Sequence, residues 1–583
     1  VYRFGVPSPC SLNMSEDESR LSGPQAEVAS NPPPKSRNNL PALEQLPKGE
    51  GFPFDYSRAL PDRNAIRVLN KYFDPSGVSL VREKYHRARL SFDDLKRDFL
   101  EFGRPKASRN HTNAYYMVLQ SLIEDIKPSE PVIPTTRNVV YALPTFPGTK
   151  SPGLPYKNMG YKTKRDAIDD PAVIEEIDRV WTDIAERRRI ELPDTAVYAR
   201  AQICTRDTNK VRATWGYPLG VYAQEGTYFY PLLDAVSSLP HPIFGYGIEM
   251  GTGGMEYINT MVSEVPHTHI LLGDWSKFDK TVPAWIIRDC FRILETWIDF
   301  DHIRHSDGRV TRTRRDRALR QWKAMVNYFI DTPCRLSNGE RFIKHGGVPS
   351  GTCFTNLIDS MVNCIVMRYL TYELTGRLPV ADIYFGDDSV VVLKHAIDMT
   401  LFKELALEQF SMVFNDDKSH LTTNLDNVHF LGFYNSQGKP NRGPDVLIAS
   451  SIYPERTVSS KLETVVRMIG EAYSCFEPTD VRKFFAAAWD LMDEDKLDPD
   501  FVSASMDLVP ETTKYMRLNA YDMENIRIPR PTAPDELILL TQPSAPRKMY
   551  KHKYRDADEI YARAQLSQYD SSDEDEDILS NDT

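Results

Sequence analysis

Apolar residues recur along this chain with two different periods, and each change of period marks an element. His269 to Leu272 is a short apolar run ending in Gly273-Asp274, which reads as a buried strand that delivers an acid at its C-terminal end. After Thr281 and Pro283, the residues Ile287, Cys290, Phe291, Leu294, Trp297 and Ile298 fall at helical spacing, with Thr281 placed to cap the helix and Pro283 in its first turn. Gly346-Gly347-Val348-Pro349-Ser350-Gly351 reads as a loop. The helix after it carries Phe354, Leu357, Ile358, Met361, Val362, Ile365 and Tyr369 along one face, with Thr355 and Asp359 one turn apart on another. The runs Ile383 to Phe385 and Val390 to Leu393 flank Gly386-Asp387-Asp388-Ser389, the pattern of a hairpin whose turn presents carboxylates. Helices are predicted over about 399–410, along the stripe Leu462, Val465, Val466, Ile469, Ala472, Tyr473, Phe476, and over 481–492 after Pro478.

Between these elements the chain is less patterned. Residues 1 to about 55 are rich in Pro, Ser, Asn and Glu and predict a disordered or loosely docked arm. Met14 is the first methionine, so residues 1–13 read as an upstream extension. Residues 56–266 predict short helices and strands broken by prolines, and 526–548 an extended, proline-rich strap. A chain of 583 residues exceeds one ordinary core, so several subdomains are expected. The seven cysteines are scattered without a Cys-x-x-Cys pair, which argues against a disulfide framework or a zinc ribbon and for a reducing compartment. No apolar run approaches the roughly 18 to 20 residues that span a bilayer, so no membrane partner is expected.

Charge changes the picture because of where it lies. The net charge is -11, but from Asp556 onward ten acids face one base, so this tail alone carries -9 and the body is close to neutral. The tail is too polar to fold by itself. Within the body, Arg304, Arg309, Arg312, Arg314, Arg315, Arg317 and Arg320 are opposed locally only by Asp307 and Asp316, an asymmetry suited to a polyanion.

The chemistry rests on carboxylates. Two acids in a tight turn and a third at the end of a neighbouring strand repel one another unless cations sit between them. Hard divalent ions supply that compensation, and Mg²⁺ keeps open positions for phosphates, so Asp274 and Asp387, assisted by Asp388, fit a two-metal phosphoryl-transfer site that Mn²⁺ could also occupy. The order strengthens the reading: Asp-x-x-x-x-Asp, then Ser-Gly-x-x-x-Thr, then Gly-Asp-Asp.

This combination resembles the palm of viral RNA-dependent RNA polymerases over most of residues 150–435. Asp274 to Asp279, in Gly-Asp-Trp-Ser-Lys-Phe-Asp, looks like motif A; Gly346 to Asp359 looks like motif B; Tyr-Phe-Gly-Asp-Asp-Ser at 384–389 looks like motif C. Ser151-Pro-Gly-Leu-Pro155 resembles motif G, and Arg206 through Lys210-Val-Arg212 resembles motif F. Lys418 resembles the motif D lysine, and Phe430-Leu-Gly432 the motif E grip. The wording is most similar to partitivirus polymerases, with picobirnavirus and other double-stranded RNA virus enzymes next. Reverse transcriptases usually carry Tyr-x-Asp-Asp at the hairpin, so Gly386 favours RNA-to-RNA synthesis. Asp359 departs from the Asn that many positive-strand viral polymerases place nine residues after the motif B serine.

The resemblance implies an α+β right hand of fingers, palm and thumb, with an antiparallel palm sheet and a helical thumb. The expected divisions are an arm over 1–55, an N-terminal extension and fingers over 56–265, palm over 266–300, a basic fingers insertion over 301–345, palm again over 346–435, thumb and strap over 436–550, and an acidic tail over 551–583. It also implies roles. Asp274, Asp387 and Asp388 would hold two Mg²⁺ ions, and Lys418 would protonate the leaving group. Arg206, Lys210, Arg212, Asp279, Ser350, Gly351, Thr355 and Asp359 would meet the nucleotide, with Asp279 and Asp359 as acceptors for a ribose 2′-hydroxyl. Ser151, Gly153, Pro155, Arg312, Arg314 and Arg315 would meet RNA. Template and product RNA, nucleoside triphosphates and a viral capsid protein are the implied partners, in a virion interior within the host cytoplasm. The alternatives are a polymerase of reverse-transcriptase type and a non-catalytic RNA-binding core protein; retention of every metal-binding acid argues against the latter.

Overall fold

The computed structural model describes residues 41–264, 269–509, 516, 526–533 and 555. The acidic tail, the first 40 residues and the strap beyond 533 lie outside the described residues.

Four strands form an antiparallel sheet in the order Ala381–Phe385, Asp388–Leu393, His269–Gly273, His420–Thr422. Its strands are aliphatic on both faces because both faces are covered. Ile270, Leu272, Ile383, Val390 and Val392 join a core with Ile258, Met261, Phe430 and Phe433. Leu271 and Val391, which alternate to the other face, are equally buried. Register then fixes the chemistry: Ser389 lies opposite Gly273, so Asp274 and Asp387 emerge from the same end of adjacent strands.

The helices predicted around this sheet form, with one correction. The helix Ala284–Glu295 begins at Pro283, and Thr281 does not cap it. Thr281 instead closes the preceding turn Phe278–Thr281, donating its hydroxyl hydrogen to the carbonyls of Lys277 and Phe278. Helix Thr355–Thr375 is buried continuously from Leu357 to Thr371, so it runs through the centre of the molecule. Helices Met399–Phe410, Lys461–Cys475 and Pro478–Asp495 match the apolar stripes.

A second, five-stranded sheet is ordered Leu43–Leu46, Arg341–His345, Asp331–Arg335, Thr195–Ala201, Val211–Gly216. Its first strand corrects the arm expected over 1–55, since Leu43–Leu46 pairs with Arg341–His345 through main-chain bonds that composition does not report. The helices Arg63–Tyr72 and Pro75–Lys84 lie in the segment expected as N-terminal extension and fingers. Ala65, Val68, Leu69, Val78 and Val81 share one core with Leu447, Val465, Ile469, Phe484 and Leu491 of the C-terminal helices. Asp62 fixes the join: its carboxylate accepts from Ala65 N–H at 3.0 Å and from the Thr464 hydroxyl at 2.7 Å. Of the strap, residues 526–533 are described and carry no helix or strand.

Candidate active site

The turn Gly386-Asp387 joins two strands paired at Phe385 and Asp388. Gly386 has φ +63 and Asp387 does not share the positive φ, the arrangement of a two-residue turn led by glycine. A side chain at Gly386 would also meet Asn356 at 3.2 Å. Helix Thr355–Thr375 holds this turn from below. Ser360 Oγ accepts the Gly386 N–H at 2.8 Å, and Asn363 Nδ2 donates to the carbonyls of Gly386 at 3.0 Å and Asp388 at 3.3 Å. Asn363 Oδ1 accepts from Trp275 Nε1 at 3.0 Å, which ties the segment after Asp274 to the same helix. The backbone of Asp274 is held from the other side, its N–H donating to Ser419 Oγ at 2.9 Å and its carbonyl accepting from Asn415 N–H at 2.9 Å.

These braces were missed in the sequence, although a signal was there. Asn356, Ser360 and Asn363 fall at i, i+4 and i+7 of a helix whose buried middle is mostly apolar apart from Asp359 and Arg368. Buried polar groups at that spacing need partners, and the main chain of a turn supplies them.

Electrostatics shows which groups are brought together. Asp387 reaches solvent at the tip of the turn, yet protein around it removes enough water to push its carboxyl pKa up, and the charge of Asp274 adds to the shift. Arg212 and Lys210 oppose it. Burial lowers the Lys210 pKa, and the charges of Arg212 and Lys418 lower it further, while Asp274 acts the other way. Lys210, Arg212, Lys418, Asp274 and Asp387 therefore share one neighbourhood. Asp388 opens the return strand. Among the described residues no three His, Cys, Asp or Glu side chains form a ready metal cage. The donor set of Asp274 and Asp387 nonetheless fits Mg²⁺, which takes one or two carboxylates and completes its shell with water and phosphate.

Beside this pair, Asp279 and Asp359 face each other. Burial raises both, and charge repulsion adds to it: Asp387 acts on Asp279, which is pushed up to about 6, and Asp279 and Asp387 act on Asp359, which rises well above the usual carboxylate range. Expected as acceptors for a ribose 2′-hydroxyl, the two carboxyls are close enough for each to disfavour ionisation at this site.

The loop before the long helix is built around its own backbone. Thr355 Oγ1 donates to Pro349 O at 2.7 Å and accepts from the N–H groups of Gly351 and Thr352, so the hydroxyl expected at the nucleotide braces the loop. Gly351 has φ +124, and a Cβ there would lie 2.5 Å from the Trp215 carbonyl oxygen. Ser350 O accepts from Trp215 N–H at 3.0 Å, so this loop rests on the strand that carries Arg212.

Other expected residues lie apart from this constellation or are engaged elsewhere. Arg206 turns away, its Nε donating to Arg82 O at 2.7 Å. Ser151 Oγ is bonded to Tyr198 Oη at 2.8 Å and accepts from Gly153 N–H, and Gly153 is buried, so the loop ending at Pro155 is packed into the body. Five of the seven arginines of the basic stretch form ion pairs in three dimensions, Arg309 with Asp307, Arg314 and Arg320 with Asp316, Arg315 with Asp301 and Arg317 with Glu186. Asp301 and Glu186 lie outside the stretch, which is why a local count missed them. Arg312 is exposed on the hairpin His302–Arg304/Val310–Arg312.

A family model described as viral RNA-dependent RNA polymerase matches residues 82–445. The chain is 30% identical over 350 residues to the RNA-directed RNA polymerase of Cryptosporidium parvum virus 1, covering 56% of this chain and 62% of that protein. It is 29% identical over 320 residues to that of Atkinsonella hypoxylon virus, covering 48% and 47%. It is 25% identical over 286 residues to that of white clover cryptic virus 1, covering 46% of each. The chain thus spans 46% to 62% of the length of these relatives. A solved structure, the Sicinivirus 3Dpol RNA dependent RNA polymerase, aligns over 82% of this chain and 100% of its own with a TM-score of 0.60 at 14% identity, so the fold is shared.

Proposed function

The chain belongs to the viral RNA-dependent RNA polymerases, and we propose that it copies a viral, double-stranded RNA genome into RNA by joining nucleoside triphosphates at the Asp274–Asp387 edge of its antiparallel sheet. The observation that carries this reading is the meeting of two carboxylates with Lys210, Arg212 and Lys418 at one sheet edge. The carboxylates suit the divalent ions, and the cations suit the phosphates that those ions bridge. When bound, Mg²⁺ neutralises charge on the attacking 3′-hydroxyl oxygen and on the departing pyrophosphate. Asp274 and Asp387 hold it. Lys210 and Arg212 orient the triphosphate, and Lys418 donates a proton to the leaving group. Ser360, Asn363 and Ser419 keep the carboxylates in place through the main chain. Similarity to partitivirus polymerases supports capsid protein as a partner and the virion interior as the working location.

The test is Mg²⁺-dependent incorporation of ribonucleotides on a homopolymer RNA template. Asp387→Asn is expected to abolish synthesis, by at least about a thousandfold, while RNA affinity stays within about twofold, because a metal ligand is removed and the basic residues remain. Extension by this variant at the wild-type rate would refute the assignment. Preferential use of deoxyribonucleotides would favour a polymerase of reverse-transcriptase type.

A further inference from the structure

The helix Phe92–Leu100 lies outside the segments that carry the site, yet its C-terminal end meets three of them. Two acids, Asp98 and Glu101, stand at that end, where the free carbonyls of a helix disfavour negative charge, so both need donors around them. Phe99 and Phe102 anchor the helix end in the core. Phe99 packs against Trp215 at 5.9 Å between ring centroids, and Phe102 at 5.1 Å. A Cβ at Gly347 would lie 2.7 Å from the Phe102 ring, so the same ring also backs the loop before the long helix.

Asp98 uses its two oxygens on two different parts of the site. Oδ2 accepts from the Ala213 N–H at 2.7 Å. Val211–Gly216 is the outer strand of the five-stranded sheet, so this N–H faces the open edge, and the bond holds the peptide unit that joins Arg212 to Ala213. Oδ1 accepts from Lys280 Nζ at 2.7 Å, in an ion pair whose side chains are only 12% and 18% exposed. Lys280 follows Asp279 in the turn Phe278–Thr281. Glu101 repeats the contact on the near side of that turn, pairing with Lys277 at 3.0 Å and with Arg104. Burial and the charge of Asp387 raise the Asp279 carboxyl, whereas Lys280 and Arg212 act the other way, so the strand and the turn joined by Asp98 meet again at Asp279.

We propose that Asp98 is a positioning residue for nucleotide binding, a single carboxylate that sets the spacing between Arg212 on the outer strand and Asp279 in the acidic turn. A nucleoside triphosphate presents its phosphates and its ribose at a fixed separation, so the groups that receive the two ends must keep a matching distance. The strand and the turn belong to different sheets and come from distant parts of the chain, and one carboxylate bonded to both couples their positions directly. Lys280 acts in this scheme through Asp98 and does not touch the nucleotide. The roles of Arg212 and Asp279 rest on the reading given under the proposed function; the clamp rests on the contacts of Asp98.

The experiment measures steady-state ribonucleotide incorporation by the full chain on a homopolymer RNA template, for Asp98→Asn, Lys280→Met and the double variant, with Arg212→Ala as the reference. Asp98→Asn keeps the shape of the side chain and an acceptor for Ala213, and Lys280→Met leaves the Ala213 bond intact, so melting temperatures should stay near that of the parent protein. Each single variant is expected to raise KM for nucleotide about fivefold with kcat within about twofold, and the double variant no further than the larger single effect, since both changes remove the same bond. Lys280→Arg, which keeps the charge, should hold KM within about twofold of the parent value. If Lys280→Met still raises KM in the Asp98→Asn background, the two side chains act separately and the clamp is overturned. A fall in kcat and melting temperature at constant KM would show a merely structural contact and overturn it as well. An increase of KM in Arg212→Ala beside an unchanged KM in Asp98→Asn would overturn the clamp and leave the triphosphate role of Arg212 standing, whereas an unchanged KM in Arg212→Ala would overturn that role and the clamp together.

Discussion

At the scale of single residues, the pair Asp279 and Asp359 is the most exacting feature of the site. Both carboxyls have pKa values raised above those of the unfolded chain. A raised acid stabilises the fold while it is protonated, and that stability is lost as pH climbs through the folded-state value. For Asp279 that passage is near 6, and Asp359 is displaced in the same direction. Replacing Asp359 by Asn removes the second charge and offers Asp279 an amide donor. Asp359→Asn should therefore raise the stability of the metal-free protein at pH 8 by about 2 kcal/mol and change it little at pH 5. Melting curves in chelator at the two pH values test this, and an equal change at both would exclude charge repulsion between the two carboxylates as the cause. If the pair also reads the ribose 2′-hydroxyl, Asp279→Ala or Asp359→Ala should narrow the preference for ribonucleotides over deoxyribonucleotides. Selectivity ratios unchanged in both variants would remove that role.

Among the elements, the helix Thr355–Thr375 does more than support the sheet, because Ser360 and Asn363 hold both polar groups of the Gly386 backbone. Truncating either leaves a buried main-chain group without a partner, at a cost of about 1–3 kcal/mol. Much of that loss should appear as disorder of the turn that carries Asp387. Ser360→Ala and Asn363→Ala are expected to lower kcat roughly tenfold with little change in KM for nucleotide, since neither side chain belongs to the cation group. Steady-state kinetics decides: a rise in KM at constant kcat would show that the helix acts on substrate binding and not on carboxylate placement.

Across the whole molecule, a single C-terminal residue reaches the back of the same hairpin. Arg555 donates to Asp125 at 2.8 Å and to Asp382 at 2.7 Å, beside Arg368, which bonds both acids. Asp382 is fully buried, and the two guanidiniums hold its carboxyl well below the usual range. Removing one partner of such a cluster leaves buried charge uncompensated, at a cost of about 3 kcal/mol. A chain ending at residue 550 should melt several degrees below one ending at 555, although the two differ by five residues, and Arg555→Ala should reproduce the loss. The acidic tail beyond Arg555 is a separate question of charge. If it competes with RNA for the basic residues, the chain ending at 555 should bind RNA more tightly than the full chain at low salt and equally at high salt. Superimposable salt titrations would eliminate that competition.

How much of this was legible in the chain depends on whether the cause was local. The strand into Asp274, the Gly-Asp-Asp hairpin and the helices 399–410, 461–475 and 478–495 are set by apolar period, glycine and proline, all of which act over a few residues. Motif order was enough to point to the family. Tertiary structure alone decided matters that depend on which distant groups meet. It joined helices 63–84 to the C-terminal core and paired Leu43–Leu46 into a sheet. It supplied Asp301 and Glu186 to arginines that look unopposed in sequence, and set the Arg206 side chain against the Arg82 carbonyl. It also set Asp279 near Asp359, where burial and like charge raise the cost of ionising either acid. Period and composition act along the chain, whereas burial, charge pairing and charge repulsion depend on distances through space that are fixed only once the chain has folded.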